Sequence, residues 1–352
     1  MPLHAVLARM DALVTPVAPR EVSPAAAIGR VLACDLLLTR QPRADLALRD
    51  GWAVNSALTQ DAGPYAPAPL AGAAPIDTGE PLPVGTDAVA EIDAVVFCDG
   101  GPQAVAPVTS GDGVLPAGAD ADGGTILARD GHRLGAVAAA ALAERIRVRE
   151  PRVQVVGMRA DRIIDAAVDL LAHAITRAGG IALRDCGESL DAALRCENAD
   201  AVISIGGTGS GRQDATVIKL AGLGRVEAHG IAISPGETAA FGMIKTRPVL
   251  MLPGRIDAAL AGWLLLGQPL LARLAASRDE PPALPARLAR KVASNLGIAE
   301  FVPVRLREGE AEPLGGPYLP LQTLARANGW MLIPPDSEGY PEGATVMVRA
   351  LP

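Results

Sequence analysis

From residue 151 onward, short apolar runs alternate with segments of helical periodicity, and this rhythm constrains the fold more than any other feature. The pairs are 153–157 then 163–178, 181–184 then 189–196, and 201–205 then 215–222. Parallel strands need a long crossover between them, and a helix is the usual one, so the pattern predicts a parallel α/β sheet. A further strand at 247–252 and a long helix from Ile256 close this region by about residue 278. The run at 201–205 leads into four glycines, Gly206, Gly207, Gly209 and Gly211, mixed with Thr208 and Ser210. Arg212, Asp214 and Thr216 follow at the start of the next helical pattern. Open α/β sheets bind ligands at the carboxyl ends of their strands, which is where this segment falls. Glycine lets backbone N–H groups turn inward around an anion, the hydroxyls add donors, and a carboxylate just beyond can hold Mg²⁺ against phosphate oxygens. The structural alternative is a plain strand-to-helix turn.

The flanking sequence has a different texture. Residues 3–14 and 24–34 carry apolar side chains at helical spacing, and Ser23-Pro24 supplies an N-cap with proline at the first helical position. Between about 42 and 125 the chain breaks into short β-rich pieces punctuated by Gly and Pro, and helical periodicity resumes over 133–144. The expected organisation is therefore a multidomain α/β chain. A helical domain of residues 1–48 and 111–150 carries an inserted β domain at 49–110, a central parallel α/β domain spans 151–280, and a small C-terminal β-barrel occupies 281–352. The charged, proline-rich segment 277–285 reads as the linker into the barrel.

Composition narrows the ligand. The 352 residues carry a formal charge of −7, so there is no global basic field to attract nucleic acid or an anionic membrane, and any anion must be captured locally. The apolar stretch at 258–276 is interrupted by Gln268, Pro269 and Arg273 and reads as a core or interface helix instead of a membrane span. Cys34, Cys98, Cys186 and Cys196 show no C-x-x-C spacing, and His4, His132, His173 and His229 form no H-x-x-x-H pair, which argues against a zinc site. Without an export signal, and with cysteines read as free, a cytoplasmic location is expected.

Two further segments carry candidate chemistry. Asp50-Gly51-Trp52-Ala53-Val54 puts an aspartate and a glycine at the start of a strand, and Thr78-Gly79 precedes a proline-rich loop ending in Asp87-Ala88-Val89. Each alone is compatible with a simple β-turn. Taken in order, the motifs resemble the molybdopterin molybdenumtransferases of the MoeA and gephyrin E-domain type. Asp50 to Val54 is similar to that family's Met-Asp-Gly-Tyr-Ala-Val, and Thr78-Gly79 through Val89 to its Thr-Gly-Ala...Pro-x-Gly-Ala-Asp-Ala-Val. Gly206 through Asp214 falls where the family has Gly-Gly-Val-Ser-Val-Gly-x-x-Asp. Ser234-Pro235-Gly236-Glu237-Thr238 and Leu252-Pro253-Gly254-Arg255 resemble Lys-Pro-Gly-Lys-Pro and Leu-Pro-Gly-Asn-Pro. The Gly206-Gly207-Thr208-Gly209 form with Asp214 and Thr216 is closer still to the sister molybdopterin adenylyltransferase loop.

The resemblance implies insertion of molybdate into adenylylated molybdopterin with Mg²⁺-assisted release of AMP. It further implies a homodimer whose active site lies between the α/β domain of one subunit and the β insertion of the other. Carried over by position, Asp50, Thr78, Asp120, Asp161 and Asp214 are the catalytic candidates, with Asp161 and Asp214 on the metal. The pterin-binding candidates are Asp185, Gly206, Gly207, Thr208, Gly209, Ser210, Gly211 and Arg212, together with Ser234, Pro235, Gly236, Pro253 and Gly254.

The chain departs from the family in its cations and acids. The family's Ser-Thr-Gly-Asp-Glu-Leu after the first α/β strand is replaced by a shorter Gly157-Met158-Arg159-Ala160-Asp161-Arg162, both lysines of Lys-Pro-Gly-Lys are Ser234 and Glu237, and Leu-Pro-Gly ends in Arg255 instead of Asn. Arg159, Arg162, Arg212 and Arg255 are candidates to restore the lost positive charge, or are surface arginines. Two alternatives to a transferase stand beside it: a paralogue that binds molybdopterin or finished cofactor as a carrier without turnover, and an unrelated phosphate-binding α/β protein sharing only the loop.

Overall fold

The computed structural model describes every residue except 39, 99, 141–143, 160, 185–188, 210–214 and 316–318. The chain divides into two compact units. One comprises Met1–Cys34, Arg129–Ala140 and Glu144–Pro352, and the other Asp35–Ala128.

The first unit is organised around a six-stranded sheet. Ile181–Leu183 lies at one edge, followed by Arg152–Gly157, Ala201–Ile205 and Arg247–Leu252, all parallel. Every residue of Ala201–Ile205 is buried, as expected for a central strand covered on both faces. The sheet continues with Ala240–Ile244 and Arg225–His229, both paired antiparallel, so it is mixed and not purely parallel. The cause is local. Only Lys245 and Thr246 separate Ile244 from Arg247, Lys245 takes φ 54°, and so short a loop can join only antiparallel neighbours.

The chain leaves Arg152–Gly157 for the edge strand and then returns to the opposite side of it at Ala201–Ile205. That reversal creates a switch point at the carboxyl ends of these two strands. The crossover helix Arg162–Arg177 buries Ile164, Ala167, Leu171, Ala174 and Ile175 at helical spacing. Asp161 caps its start, accepting from the Ile163 N–H. Its end is closed by Gly179 at φ 89°, whose N–H donates to Thr176 O while Gly180 N–H donates to Ile175 O, a Schellman arrangement.

The apolar stretch read as a core helix runs from Ile256 to Leu274, with a π-helical segment at Trp263–Gly267. Trp263 is fully buried, and a β-carbon on Gly267 would come within 2.4 Å of its ring, so glycine is what lets the indole lie along its own helix. Helix Leu3–Leu13 adds Leu3, Val6 and Met10 to the same core. No helix among the described residues is long and apolar enough to cross a membrane.

The helix expected over 24–34 stops at Ala27. Gly29 takes φ 75°, and Val31–Leu32 pairs as a strand with Ile146–Arg149. Likewise only Ala136–Ala140 of the expected 133–144 helix is helical among the described residues. Cys34 and Cys98 are free and exposed, whereas Cys196 is disulfide-bonded, which corrects the expectation of free cysteines throughout. Spacing along the chain does not foretell which cysteines the tertiary fold brings together.

In the second unit Gly51–Val54 is the centre of a three-stranded antiparallel sheet between Ala74–Ile76 and Ala88–Ala90. The C-terminal region bears out the expected barrel. Ala299–Arg307, Glu310–Pro313, Ala283–Leu288, Thr345–Ala350 and Gly329–Ile333 pair in that order, and the last pairs back to the first. Val302, Val304, Met331, Ile333, Val346 and Val348 fill its interior.

Candidate anion-binding cleft

Three loops leave the carboxyl ends of adjacent parallel strands and line one open cleft of about 340 Å³. After Arg152–Gly157 come Arg159 and Asp161, after Ala201–Ile205 come Gly206 to Gly209, and after Arg247–Leu252 come Pro253, Gly254 and Arg255. Ile163, Ile164 and Thr238 complete the described lining.

Backbone geometry explains the glycines. Gly206 and Gly207 take φ 100° and 72°, the left-handed side of backbone space where only glycine is unstrained. Gly206 N–H donates to Leu252 O at 2.8 Å, and Met158 N–H donates to Ile205 O at 2.9 Å, so the ladder extends one step past each strand before the loops open. A β-carbon on Gly207 would meet Thr216 Oγ1 at 2.5 Å. Thr216, almost fully buried, donates its hydroxyl to the Gly207 carbonyl and so ties the loop to the helix Thr216–Leu223. These ties favour a built loop over an incidental strand-to-helix turn.

Two threonines brace the far wall. Thr208, 2% exposed, shares a hydroxyl hydrogen bond of 3.0 Å with Thr238, and its carbonyl lies 3.3 Å from His229 Nε2. Arg255 lies at the start of the long core helix and is held side-on by Asp257. Its Nε lies 3.1 Å from Oδ1 and its Nη2 2.5 Å from Oδ2. Asp257 is 1% exposed and also accepts from the Ala258 N–H at 2.9 Å. Among the described residues Arg159, Arg255 and Asp161 border this glycine-lined floor, with the charge of Arg255 matched by Asp257.

The sequence-predicted residues fall into four groups. Gly206, Gly207, Thr208, Gly209, Pro253, Gly254 and Asp161 are brought together in the cleft. Ser234, Pro235 and Gly236 are outside its described lining. Ser234 ends a short strand paired with Ala299–Glu300 of the C-terminal region, and the chain leaving that turn delivers Thr238 to the cleft. Asp185, Ser210, Gly211, Arg212 and Asp214 lie outside the described residues.

Asp50, Thr78 and Asp120 belong to the second unit. There Thr78 donates both its N–H, at 2.8 Å, and its hydroxyl, at 2.6 Å, to Asp50 Oδ1. The side-chain hydrogen bond, then the backbone one, hold the Asp50 carboxyl below the usual aspartate range, so it is ionised at neutral pH. The Asp-Gly pair is more than a turn signal, because a β-carbon on Gly51 would lie 2.1 Å from Ala90 O on the neighbouring strand. Asp120 is exposed and anchored through its N–H to Gln41 O at 3.0 Å.

The motif comparison left three contributors to the cleft without a role, Ile163, Ile164 and Thr238. Arg159 and Arg255, offered from the sequence as replacements for lost positive charge or as surface arginines, both line the cleft, and the signal for Arg255 was that it replaces the asparagine of the Leu-Pro-Gly-Asn pattern.

A glycine-floored cleft at the switch point of an α/β sheet, in a chain that also holds a β-rich unit and a closed barrel, defines a multidomain α/β protein with an open cleft at the carboxyl ends of its parallel strands. Comparison with known proteins narrows that class. Residues 1–145 match the MoeA N-terminal region (domain I and II), residues 144–273 a probable molybdopterin binding domain, and residues 285–351 the MoeA C-terminal region (domain IV). A putative molybdopterin biosynthesis protein of Methanocaldococcus jannaschii is 35% identical over 175 residues, a match covering 48% of this chain and 41% of that relative. Molybdopterin molybdenumtransferase 2 of Mycobacterium tuberculosis is 28% identical over 364 residues, covering 87% of this chain and 88% of the relative. A crystal structure of a molybdopterin biosynthesis MoeA protein from Pyrococcus horikosii superposes with a TM-score of 0.75 at 29% identity, covering 100% of this chain and 99% of that one. This chain belongs to the MoeA-type molybdopterin molybdenumtransferase family.

Proposed function

We propose that the chain acts in molybdenum cofactor biosynthesis, inserting molybdate into adenylylated molybdopterin with release of AMP. The observation that carries this reading is the cleft itself. Beyond Gly206, whose N–H is taken by Leu252 O, residues Gly207 to Gly209 offer an anion backbone N–H groups past the end of a buried strand, and Arg159 and Arg255 border the same space. A pterin nucleotide carries its negative charge on a pyrophosphate, the part of the molecule such a cleft would hold.

Mg²⁺ is compatible with these residues in one mode. Among the described residues no cluster of three or more His, Cys, Asp or Glu side chains could hold a metal. Mg²⁺ does not require one, since it is commonly held by one or two carboxylates together with substrate phosphates and water. Asp161 would be one such carboxylate, and Asp214 is the second candidate. A phosphate oxygen about 4 Å from a carboxylate is repelled by roughly 4 kcal/mol at an effective dielectric near 20, so an acid bordering a pyrophosphate calls for a cation between them. When bound, Mg²⁺ would neutralise the diphosphate and help AMP leave.

The protein's own residues orient the substrate. The glycine loop fixes the phosphates, Arg159 and Arg255 offset their charge, and Asp161 is set by its capping role in a single direction. Asp50, kept ionised and aimed by Thr78, is the candidate acid of the β unit. This reading includes a cytoplasmic homodimer in which Asp50 and Thr78 of one subunit serve the cleft of the other, checked by light scattering and by mixing Asp50 and cleft variants for restored activity. The transferase names carried by the curated relatives favour turnover over the binding-only carrier.

The test is direct. Purified protein is incubated with adenylylated molybdopterin, molybdate and Mg²⁺, and AMP is measured. Release dependent on both molybdate and Mg²⁺ is expected. Tight pterin binding with no AMP would point to the carrier instead.

A further inference from the structure

We propose that Arg49 is a positioning residue for the reaction: by tying the start of strand Gly51–Val54 to Val89 and Asp112, it fixes the backbone from which Asp50 presents its carboxylate. The inference rests on the reading of Asp50 as the acid of the β unit and goes beyond it. Arg49 stands where the family's Met-Asp-Gly motif has methionine, a side chain that donates no hydrogen bond.

The sheet by itself leaves Asp50 outside its ladders. Pairing of Gly51–Val54 with Ala74–Ile76 begins at Gly51, and pairing with Ala88–Ala90 begins at Trp52, so residues 49 and 50 precede both. Thr78 engages the Asp50 carboxyl from one side. Arg49 supplies the other hold. Its Nε and Nη2 donate to Val89 O at 3.1 and 2.6 Å, and Nη2 donates as well to Asp112 Oδ2 at 2.9 Å. Val89 is fully buried, and its N–H donates to Asp112 O at 2.9 Å, so arginine and loop close over the same residue of strand Ala88–Ala90.

The loop is shaped to admit this side chain. Gly113 takes φ 68°, and a β-carbon there would stand 2.8 Å from Arg49 Nε and 3.1 Å from Val89 Cβ. Leu48 N–H donates to Gly113 O at 2.8 Å, which ties the residue before Arg49 to the same loop. Residues 48 to 50 are thus gripped one after another, by Gly113, by Val89 with Asp112, and by Thr78.

The charge of Arg49 is spent within this grip. Asp112 lies 2.9 Å and Glu91 3.6 Å from its guanidinium, both carboxylates being well exposed. Exposed ion pairs contribute little, so the two charge-assisted bonds to the carbonyl of a buried residue are the strong part of the tie. Arg49 therefore acts on Asp50 by holding its backbone, while the hydrogen bonds of Thr78 set its ionisation.

Carbon NMR titration of Asp50 and kinetics of AMP release, on wild type, Arg49→Met and Arg49→Lys, test the assignment. Arg49→Met removes every donor. It should loosen the Asp50–Thr78 pair, move the Asp50 titration up toward the ordinary aspartate value, and lower kcat by about tenfold or more, with KM for adenylylated molybdopterin within about twofold of wild type. Arg49→Lys keeps a charged donor and should recover part of both effects. An unmoved Asp50 titration in Arg49→Met overturns the proposal. So does a moved titration with wild-type kcat, and so does a lower thermal midpoint with titration and kcat unchanged, since each leaves Arg49 a role in the fold alone. Should Arg49→Met not fold, the same readouts on Arg49→Gln, which keeps a shorter, neutral amide donor, decide. Failure of the functional reading is separable: wild type that releases no AMP refutes the reaction, and the Asp50 titration still decides whether Arg49 places that carboxylate.

Discussion

A β-carbon placed on Gly254 would lie 3.3 Å from the α-carbon of Gly206, so two loops from adjacent strands touch backbone to backbone at the centre of the cleft. Neither backbone can yield as a flexible side chain would. Gly254→Ala should therefore push the loops apart and cost about 1–3 kcal/mol, the range for overpacking a tight site. The shift in urea midpoint measures it, and an unchanged midpoint would show that the two loops separate at no cost.

Asp161 both caps a helix and borders the cleft, and two substitutions separate these roles. Asp161→Ala should lose about 1 kcal/mol of stability through the missing cap. Asp161→Asn keeps a capping oxygen, so its stability should stay near wild type while Mg²⁺-dependent AMP release falls by about tenfold or more. Equal activity in Asp161→Asn and wild type would confine Asp161 to the cap.

The Asp50 carboxyl titrates below the usual aspartate range because of Thr78. A depressed folded-state value means this group contributes stability above its unfolded value, and that contribution is lost as pH falls through the folded one. Thr78→Val removes the hydroxyl donor and leaves the backbone N–H, so the Asp50 titration followed by carbon NMR should move upward toward the ordinary value. An unmoved titration would mean that the hydroxyl hydrogen bond does not set the ionisation.

Thr208 and Thr238 share a hydrogen bond of 3.0 Å across the cleft wall. A double-mutant cycle with Thr208→Val and Thr238→Val should return a coupling of about 0.5–1.5 kcal/mol, the net worth of one such bond. Additive effects would mean that this hydrogen bond adds nothing to stability.

Much of the architecture was legible in the sequence. Strand and helix periodicities at 153–157, 163–178 and 201–205 correspond to Arg152–Gly157, Arg162–Arg177 and Ala201–Ile205, because burial on two faces or one imposes its own spacing on apolar residues. The strand-rich C-terminal pattern likewise became a closed barrel. Short elements were read less well. The helical pattern of 24–34 ended at Ala27, where the backbone reversal at Gly29 outweighed periodicity. The antiparallel pair at one edge of the sheet was missed because a two-residue loop at Lys245 and Thr246 leaves little trace in a hydrophobic pattern.

By itself, the sequence determined which segments could be strands, helices and a glycine-rich anion loop, since these depend on residue type and near-neighbour spacing. Tertiary structure decided which loops share a cleft. Residues 159, 206 and 255 are far apart along the chain and meet because their three strands lie side by side and end at the same edge of the sheet. It also decided the role of Asp257, a carboxylate with no motif around it. Only burial beneath Arg255 shows that its charge is paired and that the pairing orients a cation at the cleft.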